Sequence, residues 1–221
     1  MTETTLPETD ALTDFPRRHL LAMLPAAALF PMEASAQMVS LLPPKDRELV
    51  NQIADYLQGL TTVKASFFQT NDRGGAADGT LYLNRPGKAR FEYKPSAGLL
   101  IVADGRRVSV YDSKLKTFDS YALAATPLAL LLSRKVRLDG DVMVTRVSRS
   151  DGGVTLTLRD ARREAEGFLL LEFKLDPIAL TGWTVVDTQN RRTNVKLGPL
   201  ESTGGFDPAL FVLKDPGKKP K

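Results

Sequence analysis

Runs of alternating apolar and polar residues, separated by short turn signals, occupy most of the chain from residue 63 onward. Asp104-Gly105 and Asp151-Gly152 each separate two such runs, and Asp-Gly is a strong signal for a β-hairpin. Pro86-Gly87 separates another pair, in the order that suits a type II turn. The pattern predicts a mainly β fold, with one antiparallel sheet or barrel and helices inserted at two places. The predicted strands lie within residues 63–71, 80–93, 98–112, 117–123, 141–160, 167–177, 182–197 and 206–216.

Two segments have helical periodicity instead. In residues 45–59, apolar side chains recur at spacings of three and four, polar residues fill the other face, and Gly59 stands at the expected end. Residues 126–133 begin with Thr126, a candidate N-cap, and continue with a proline at the first helical position. Because this second helix is apolar nearly all round, it must be covered on nearly every side.

The sheet and the helices together pose a packing problem. A large antiparallel sheet must cover its apolar face, and the two predicted helices are the candidates to do so. A curved sheet with helices over its mouth would enclose an apolar cavity. The same side chains would alternatively form a filled core, which is the commoner arrangement for leucines in such a pattern.

Arg85 is a cation that the strand alternation directs toward the apolar face. It lies in phase with Leu81 and Leu83, so all three side chains are expected on one side of the strand. Arginine has five donors and no acceptor, so it could bind carbonyl groups left unpaired at the ends of short helices. Alternatively, the side chain extends to the rim of the sheet and solvates the turn.

The N-terminus has the pattern of a secretory signal. An apolar run of 11 residues at 20–30 follows Arg17-Arg18 and precedes a small-x-small site that ends at Ala36. A run of this length is too short to span a bilayer. A buried N-terminal helix is the alternative, but prolines interrupt the run. The paired arginines also fit the twin-arginine type of signal, alongside the general secretory type.

Cleavage after the signal would remove residues 1–36 and leave a single domain, residues 37–221, with a flexible tail at 215–221, in the periplasm. The removed segment holds two of the 30 basic and five of the 26 acidic residues, so 28 and 21 remain, a net charge of +7. Such a surface attracts anionic headgroups or an acidic protein, and it also serves solubility. Acidic residues are interleaved with the basic ones, so nucleic-acid binding is not predicted.

The residues available for catalysis are few. The chain has no cysteine, and its single histidine, His19, lies in the predicted signal. Ser-His-Asp and Cys-His catalysis and the usual zinc sites are therefore excluded for the processed chain, and we expect no metal and no cofactor. The chemistry that remains would use carboxylates, lysine, serine or tyrosine, and the carboxylates available to a hydrolase are Glu92, Asp104, Asp112 and Asp119.

The order of these segments resembles the LolA family, the periplasmic carriers of outer-membrane lipoproteins. The resemblance runs over essentially the whole chain after the signal. Its most specific part is a combination of three signals at the spacing found in the family. These are the Arg-Pro-Gly turn at 85–87, the Asp-Gly hairpin at 104–105 and Tyr-Asp at 111–112. The matching segments are the first helix, ASFFQ at 65–69, GTLYLNRPGKARFEY at 79–93, LLIVADGRRVSVYD at 99–112, TPLALLL at 126–132 and FDPALFVLKDP at 206–216.

The resemblance implies an incomplete antiparallel β-barrel, that is a curved sheet, with an α-helical lid over an apolar cavity for lipoprotein acyl chains. It also implies that Arg85 hydrogen-bonds backbone carbonyls of the lid and holds the empty carrier closed. Two positions depart from the family pattern. Ala89 stands where the family usually has a large aromatic residue, which is associated with receiving cargo from the inner-membrane exporter. Ser113 stands where proline is common. The side chains expected to line the cavity are Leu49, Ile53, Leu57, Phe67, Leu81, Leu83, Phe91, Ile101, Leu128, Leu131 and Leu132.

The function so implied is a periplasmic chaperone that binds the acyl chains of lipoproteins released from the inner membrane and carries them to the outer membrane. The implied partners are triacylated lipoproteins, an inner-membrane lipoprotein-releasing ABC transporter, and an outer-membrane acceptor or the membrane itself, with the carrier a monomer. One alternative is a periplasmic lipid-binding sensor or scaffold of the same fold, which would bind lipid without releasing it. The other is a carboxylate-based envelope hydrolase, which would turn over glycan or ester.

Overall fold

A computed structural model describes residues 42–126, 128–134, 142–160 and 167–217. A single twelve-stranded antiparallel sheet contains most of the described residues. The predicted signal peptide lies outside them, as do residues 218–221 of the predicted tail. Neither helix in the described part of the chain has the length and apolar character that a membrane span requires.

The helices are α1 (Pro44–Gly59) and α2 (Leu128–Leu132), and short 3-10 turns lie at Leu123–Ala125 and Pro208–Phe211. The strands are β1 (Thr62–Asn71), β2 (Ala76–Asn84), β3 (Lys88–Tyr93), β4 (Leu99–Asp104), β5 (Arg107–Asp112), β6 (Thr117–Ala122), β7 (Val142–Ser150), β8 (Gly153–Asp160), β9 (Phe168–Leu175), β10 (Ile178–Val186), β11 (Arg192–Leu197) and β12 (Glu201–Ser202).

The sheet is curved but not closed into a barrel. Its strand order is β6-β5-β4-β3-β2-β1-β11-β10-β9-β8-β7, and β12 pairs with β1. Strands β6 and β7 stand at the two ends of this order and do not pair with each other in the residues that the structure describes. The predicted mainly β class and incomplete barrel are therefore confirmed.

The concave face of the sheet and helix α1 share one apolar core. Helix α1 contributes Leu49, Val50, Ile53 and Leu57, and Ile53 has no exposed surface. Burying each such side chain stabilises the fold by about 1.5–3 kcal/mol. Pro43 at the N-cap provides no side-chain hydrogen bond, and the buried residues of the helix begin only at Leu49.

The convex face carries a smaller contact beneath the C-terminal segment. Phe211, in the 3-10 turn, is 1% exposed. Nη1 of Arg90, on β3, donates to the carbonyl oxygen of Leu210 at 3.2 Å. The ring centroids of Tyr82 and Phe206 lie 5.5 Å apart. The C-terminal segment is therefore packed across the outside of the sheet.

The final strand predicted within residues 206–216 is wrong. After the 3-10 turn the backbone forms no strand, and Val212 is 56% exposed. The segment lies across β3, which already has β2 on one side and β4 on the other, so it finds no free edge there and crosses the convex face instead. The hairpins over Asp104-Gly105 and Asp151-Gly152 and the first helix are confirmed.

Candidate functional site

Arg85 lies where the ends of both helices meet the sheet. It follows β2 and is 8% exposed, on the same side as the buried Leu81 and Leu83. Nη1 donates to the carbonyl oxygen of Leu57 and, at 3.1 Å, to that of Leu60. Nη2 donates to the carbonyl oxygen of Ser133 at 2.8 Å. One guanidinium therefore joins the C-terminal end of α1 to the residue that follows α2.

The chemistry of this contact follows from the end of a helix. The last carbonyl groups of a helix have no partner within it and carry partial negative charge, so a cation is favourable there. The last turn of α1 contains no basic residue, and Arg85 supplies one from the sheet. Burial lowers the pKa of Arg85, although arginine stays protonated in proteins. Its Nε is buried without a partner among the described residues.

Two further hydrogen bonds hold the same junction. The backbone N–H of Gly87 donates to the carbonyl oxygen of Leu132 at 2.8 Å, and Nε2 of Gln58 donates to that of Arg134 at 2.9 Å. Gly87 has φ 82°, the left-handed value expected for the glycine of this turn. Helices α1 and α2, called the lid helices below, are thus tied to each other and to the turn between β2 and β3.

The opposite end of α1 is attached differently. Nη2 of Arg149, on β7, lies 2.6 Å from Oδ1 of Asp46 in the first turn of the helix. Farther along α1, the hydroxyl oxygen of Tyr56 accepts a hydrogen bond from the backbone N–H of Leu180 at 3.1 Å, and the ring of Tyr56 meets that of Phe173 at 6.2 Å. The helix therefore meets β7 at its beginning, and both β10 and the turn beside Arg85 at its C-terminal end.

The side chains predicted to line a cavity are brought together. Nine of them are buried members of the apolar core, and the other two, Ile101 and Leu128, are partly buried and packed against it. They come from both lid helices and from β1 to β4, so helix and sheet residues share one apolar interior. The nine buried residues are Leu49, Ile53, Leu57, Phe67, Leu81, Leu83, Phe91, Leu131 and Leu132.

Tyr93, Trp183 and Gln69 are among the residues of the concave face that the sequence did not predict. The rings of Tyr93, Phe67, Phe91 and Trp183 form a row, with successive centroids 4.9, 5.7 and 6.1 Å apart. Gln69 lies beside this row and accepts a hydrogen bond from Tyr93. A register shift in β10 just before Trp183 disturbs the alternation that would have placed its side chain. Tyr93 and Gln69 lie two residues after Phe91 and Phe67 on their strands, so strand alternation could have predicted that they share the same face.

Three of the four carboxylates considered for a hydrolase, Glu92, Asp104 and Asp112, have structural partners. Oδ1 of Asp104 accepts the backbone N–H groups of Arg106 and Arg107, both at 2.8 Å. Partial burial opposes ionisation of Asp104, but these hydrogen bonds outweigh it and lower its pKa. Asp112 accepts the backbone N–H of Leu115 at 2.9 Å, and Glu92 pairs with Arg90 at 3.3 Å. Among the described residues no three His, Cys, Asp or Glu side chains are grouped as metal ligands.

Comparison with known proteins gives a consistent family. The family described as "Outer membrane lipoprotein carrier protein LolA" matches residues 58–214. The outer-membrane lipoprotein carrier protein of Chromobacterium violaceum is 26% identical over 196 residues, covering 85% of this chain and 94% of the relative. That of Methylococcus capsulatus is 27% identical over 175 residues, covering 75% and 83%. A solved LolA superfamily protein of Nitrosomonas europaea aligns with a TM-score of 0.41 and 10% identity, covering 74% of this chain and 97% of that one.

Proposed function

The chain belongs to the LolA family of outer-membrane lipoprotein carrier proteins, and from this we propose how it works: the concave face holds lipoprotein acyl chains, and Arg85 closes the lid helices when they leave. Carriers of this family are periplasmic chaperones, not enzymes. We accordingly place this chain in the periplasm after removal of residues 1–36, with residues 37–221 as the working domain, and assign it no reaction.

The observation that carries the proposal is the set of hydrogen bonds from Arg85 to Leu57, Leu60 and Ser133. These bonds connect both lid helices to one side chain of the sheet. They can form only while the helices lie over the concave face. Any ligand that separates the helices from the sheet must break them, so the contact belongs to the closed, empty state.

The energetics of such a carrier require two opposing contributions. Acyl chains gain about 0.8 kcal/mol for each methylene taken out of water, so a long chain binds an apolar face tightly without specific recognition. Release needs that affinity to be offset. The closed lid supplies the offset, because ligand binding must give up the Arg85 hydrogen bonds and the packing of α1 against the sheet. A ligand opens the carrier only to the extent that it binds the open state better.

Carrier function determines what kinds of partner this protein needs. Family membership implies lipoprotein cargo and membrane-associated partners. We propose that the cargo is triacylated, that the donor is the inner-membrane lipoprotein-releasing ABC transporter, and that the acceptor is an outer-membrane protein or the membrane itself. Ala89, which replaces the usual aromatic near the Arg-Pro-Gly turn, is packed into the core at 1% exposure.

The test is cargo loading measured by native mass spectrometry. Protein isolated from periplasm is incubated with lipoprotein-loaded inner-membrane vesicles, with and without an energy source. We expect a bound triacylated species only with energised vesicles. Leu131→Asp, at a buried position of α2, should reduce loading at least tenfold, as a rough expectation for a charge placed in an apolar site.

The matched control is Leu115→Asp, at a leucine that is 54% exposed and lies in the turn after β5. It introduces the same charge away from the lid helices and should load like wild type. Equal loading of both variants would place Leu131 outside the binding surface. Absence of bound lipid in every sample would contradict the carrier mechanism itself.

A further inference from the structure

Gln69 and Tyr93 form a polar contact on the concave face, beside the apolar side chains of β1 and β3. The hydroxyl of Tyr93 donates to Oε1 of Gln69 at 2.8 Å. Tyr93 is 6% exposed and Gln69 is partly buried. Burial raises the pKa of Tyr93, so its hydroxyl keeps the proton at neutral pH. The contact is therefore an uncharged hydrogen bond set among apolar side chains.

The local sequence makes this contact possible because strand β2, which lies between β1 and β3, has only small residues there. Gln69 on β1 is paired with Ala77, and Tyr93 on β3 is paired with Gly79, so both intervening positions of β2 carry small residues. A Cβ atom at Gly79 would lie 2.2 Å from the carbonyl oxygen of Glu92, so no larger residue fits there. Side chains from β1 and β3 can therefore meet across β2.

The contact also marks a change of polarity along β1. Beyond it, the next concave position is Asn71, which is paired with Thr193 of β11. Toward the lid helices, every concave residue of β1 is apolar and at most 3% exposed. The distance from Val63 to Gln69 is about 20 Å at ~3.3 Å per residue, close to the extended length of a long acyl chain. The apolar residues in question are Val63, Ala65 and Phe67.

We propose that the Gln69–Tyr93 hydrogen bond is a polar stop that limits how far an acyl chain extends along β1 and so sets the chain length the carrier prefers. The proposal rests on the acyl-chain function proposed above. Each methylene buried before the stop should raise affinity about fourfold. A methylene that reaches the stop must separate the buried hydroxyl of Tyr93 from the partly buried amide of Gln69, which removes that gain.

The experiment is a competition series with the purified protein. Straight-chain fatty acids from lauric to arachidic acid displace a fluorescent acyl probe, and affinity is plotted against chain length. For wild type we expect affinity to rise with length and then stop rising. In the double variant Gln69→Leu/Tyr93→Phe, which removes both polar groups together, the rise should continue, so that the longest acid binds roughly tenfold or more tighter than to wild type.

Thr70→Val is the matched control, because Thr70 lies on the same strand and faces the opposite side, paired with Asn194. It should keep the wild-type length profile. Gln69→Met, which keeps the reach of the side chain without the amide, provides a second variant should the double variant unfold. The same length maximum in wild type and in the folded variants would overturn the polar stop while leaving the carrier function intact. Failure of wild type to bind any acid would overturn the carrier function as well.

Discussion

The two ends of helix α1 are both attached to the sheet by an arginine, but in different surroundings. At the C-terminal end, Arg85 is 8% exposed and donates to main-chain carbonyls. At the N-terminal end, the side chain of Arg149 is 46% exposed and pairs with the carboxylate of Asp46. The first contact satisfies buried groups at the end of a helix. The second is an ion pair that water and salt can replace.

Under the mechanism proposed above, this difference predicts which end of α1 separates from the sheet first. Leaving a buried acceptor without its donor costs about 1–3 kcal/mol, whereas an exposed ion pair contributes about 0–1 kcal/mol. The beginning of α1 should therefore separate from β7 readily in the empty carrier. Its end should separate only when a ligand compensates for the bonds to Arg85. Changes at three positions, two on α1 and one at Arg85, test this view in decreasing order of expected effect on stability.

Ile53→Ala, in the middle of α1, should have the largest effect on stability. Ile53 is fully buried, so the truncation removes apolar contacts and leaves a cavity between helix and sheet. We expect the free energy of unfolding to fall by about 2–5 kcal/mol, measured by urea denaturation. A loss under about 1 kcal/mol would mean that the helix does not pack on the sheet in solution, and the contrast between its ends would lose its basis.

Arg85→Leu should lower the free energy of unfolding by about 1–3 kcal/mol and have the largest effect on function. The variant should stay folded, because the packing of α1 remains. Transfer of bound lipoprotein to outer-membrane vesicles should slow roughly tenfold, since the closed state has lost its tie.

Arg85→Lys is the control for charge alone. Lysine keeps the cation but lacks the planar fork that reaches two helices at once, so an intermediate transfer rate is expected. If Arg85→Leu transferred lipoprotein at the wild-type rate, the proposed role of Arg85 would be wrong.

Asp46→Asn should have the smallest effect, under about 1 kcal/mol. The amides in the first turn of α1 should exchange faster with deuterium, and the difference from wild type should vanish at high salt because exposed charges are screened. Arg149→Ala should give the same result. If either variant matched Arg85→Leu in stability or transfer, the two ends of the helix would be equivalent.

Much of the fold follows from local patterns in the sequence. Alternation with Leu81 and Leu83 predicts the face of Arg85, and helical spacing predicts α1. The acceptors of Arg85 could not be predicted in this way. Leu60 and Ser133 lie 25 and 48 residues away in sequence, and they come within hydrogen-bonding distance only after both helices pack on the sheet. Their identity depends on tertiary packing, which no local pattern contains.

Two other features depended on neighbours in space. The register shift between Leu180 and Gly182 moves Trp183 relative to a simple alternation, so its concave position was not evident. The C-terminal segment has the composition of a strand, but it lies across β3, whose two sides are already paired with β2 and β4. In both cases the outcome depends on how neighbouring strands pair in the finished sheet, which the local sequence does not specify.

The packing of the C-terminal segment on the convex face has a consequence for cargo exchange. Phe211 and the contact between Tyr82 and Phe206 stabilise the sheet from the side that the lid helices do not touch. Under the mechanism proposed above, their contribution stays the same whether the concave side is filled by α1 or by acyl chains. We therefore expect opening of the lid and unfolding of the sheet to be separate transitions.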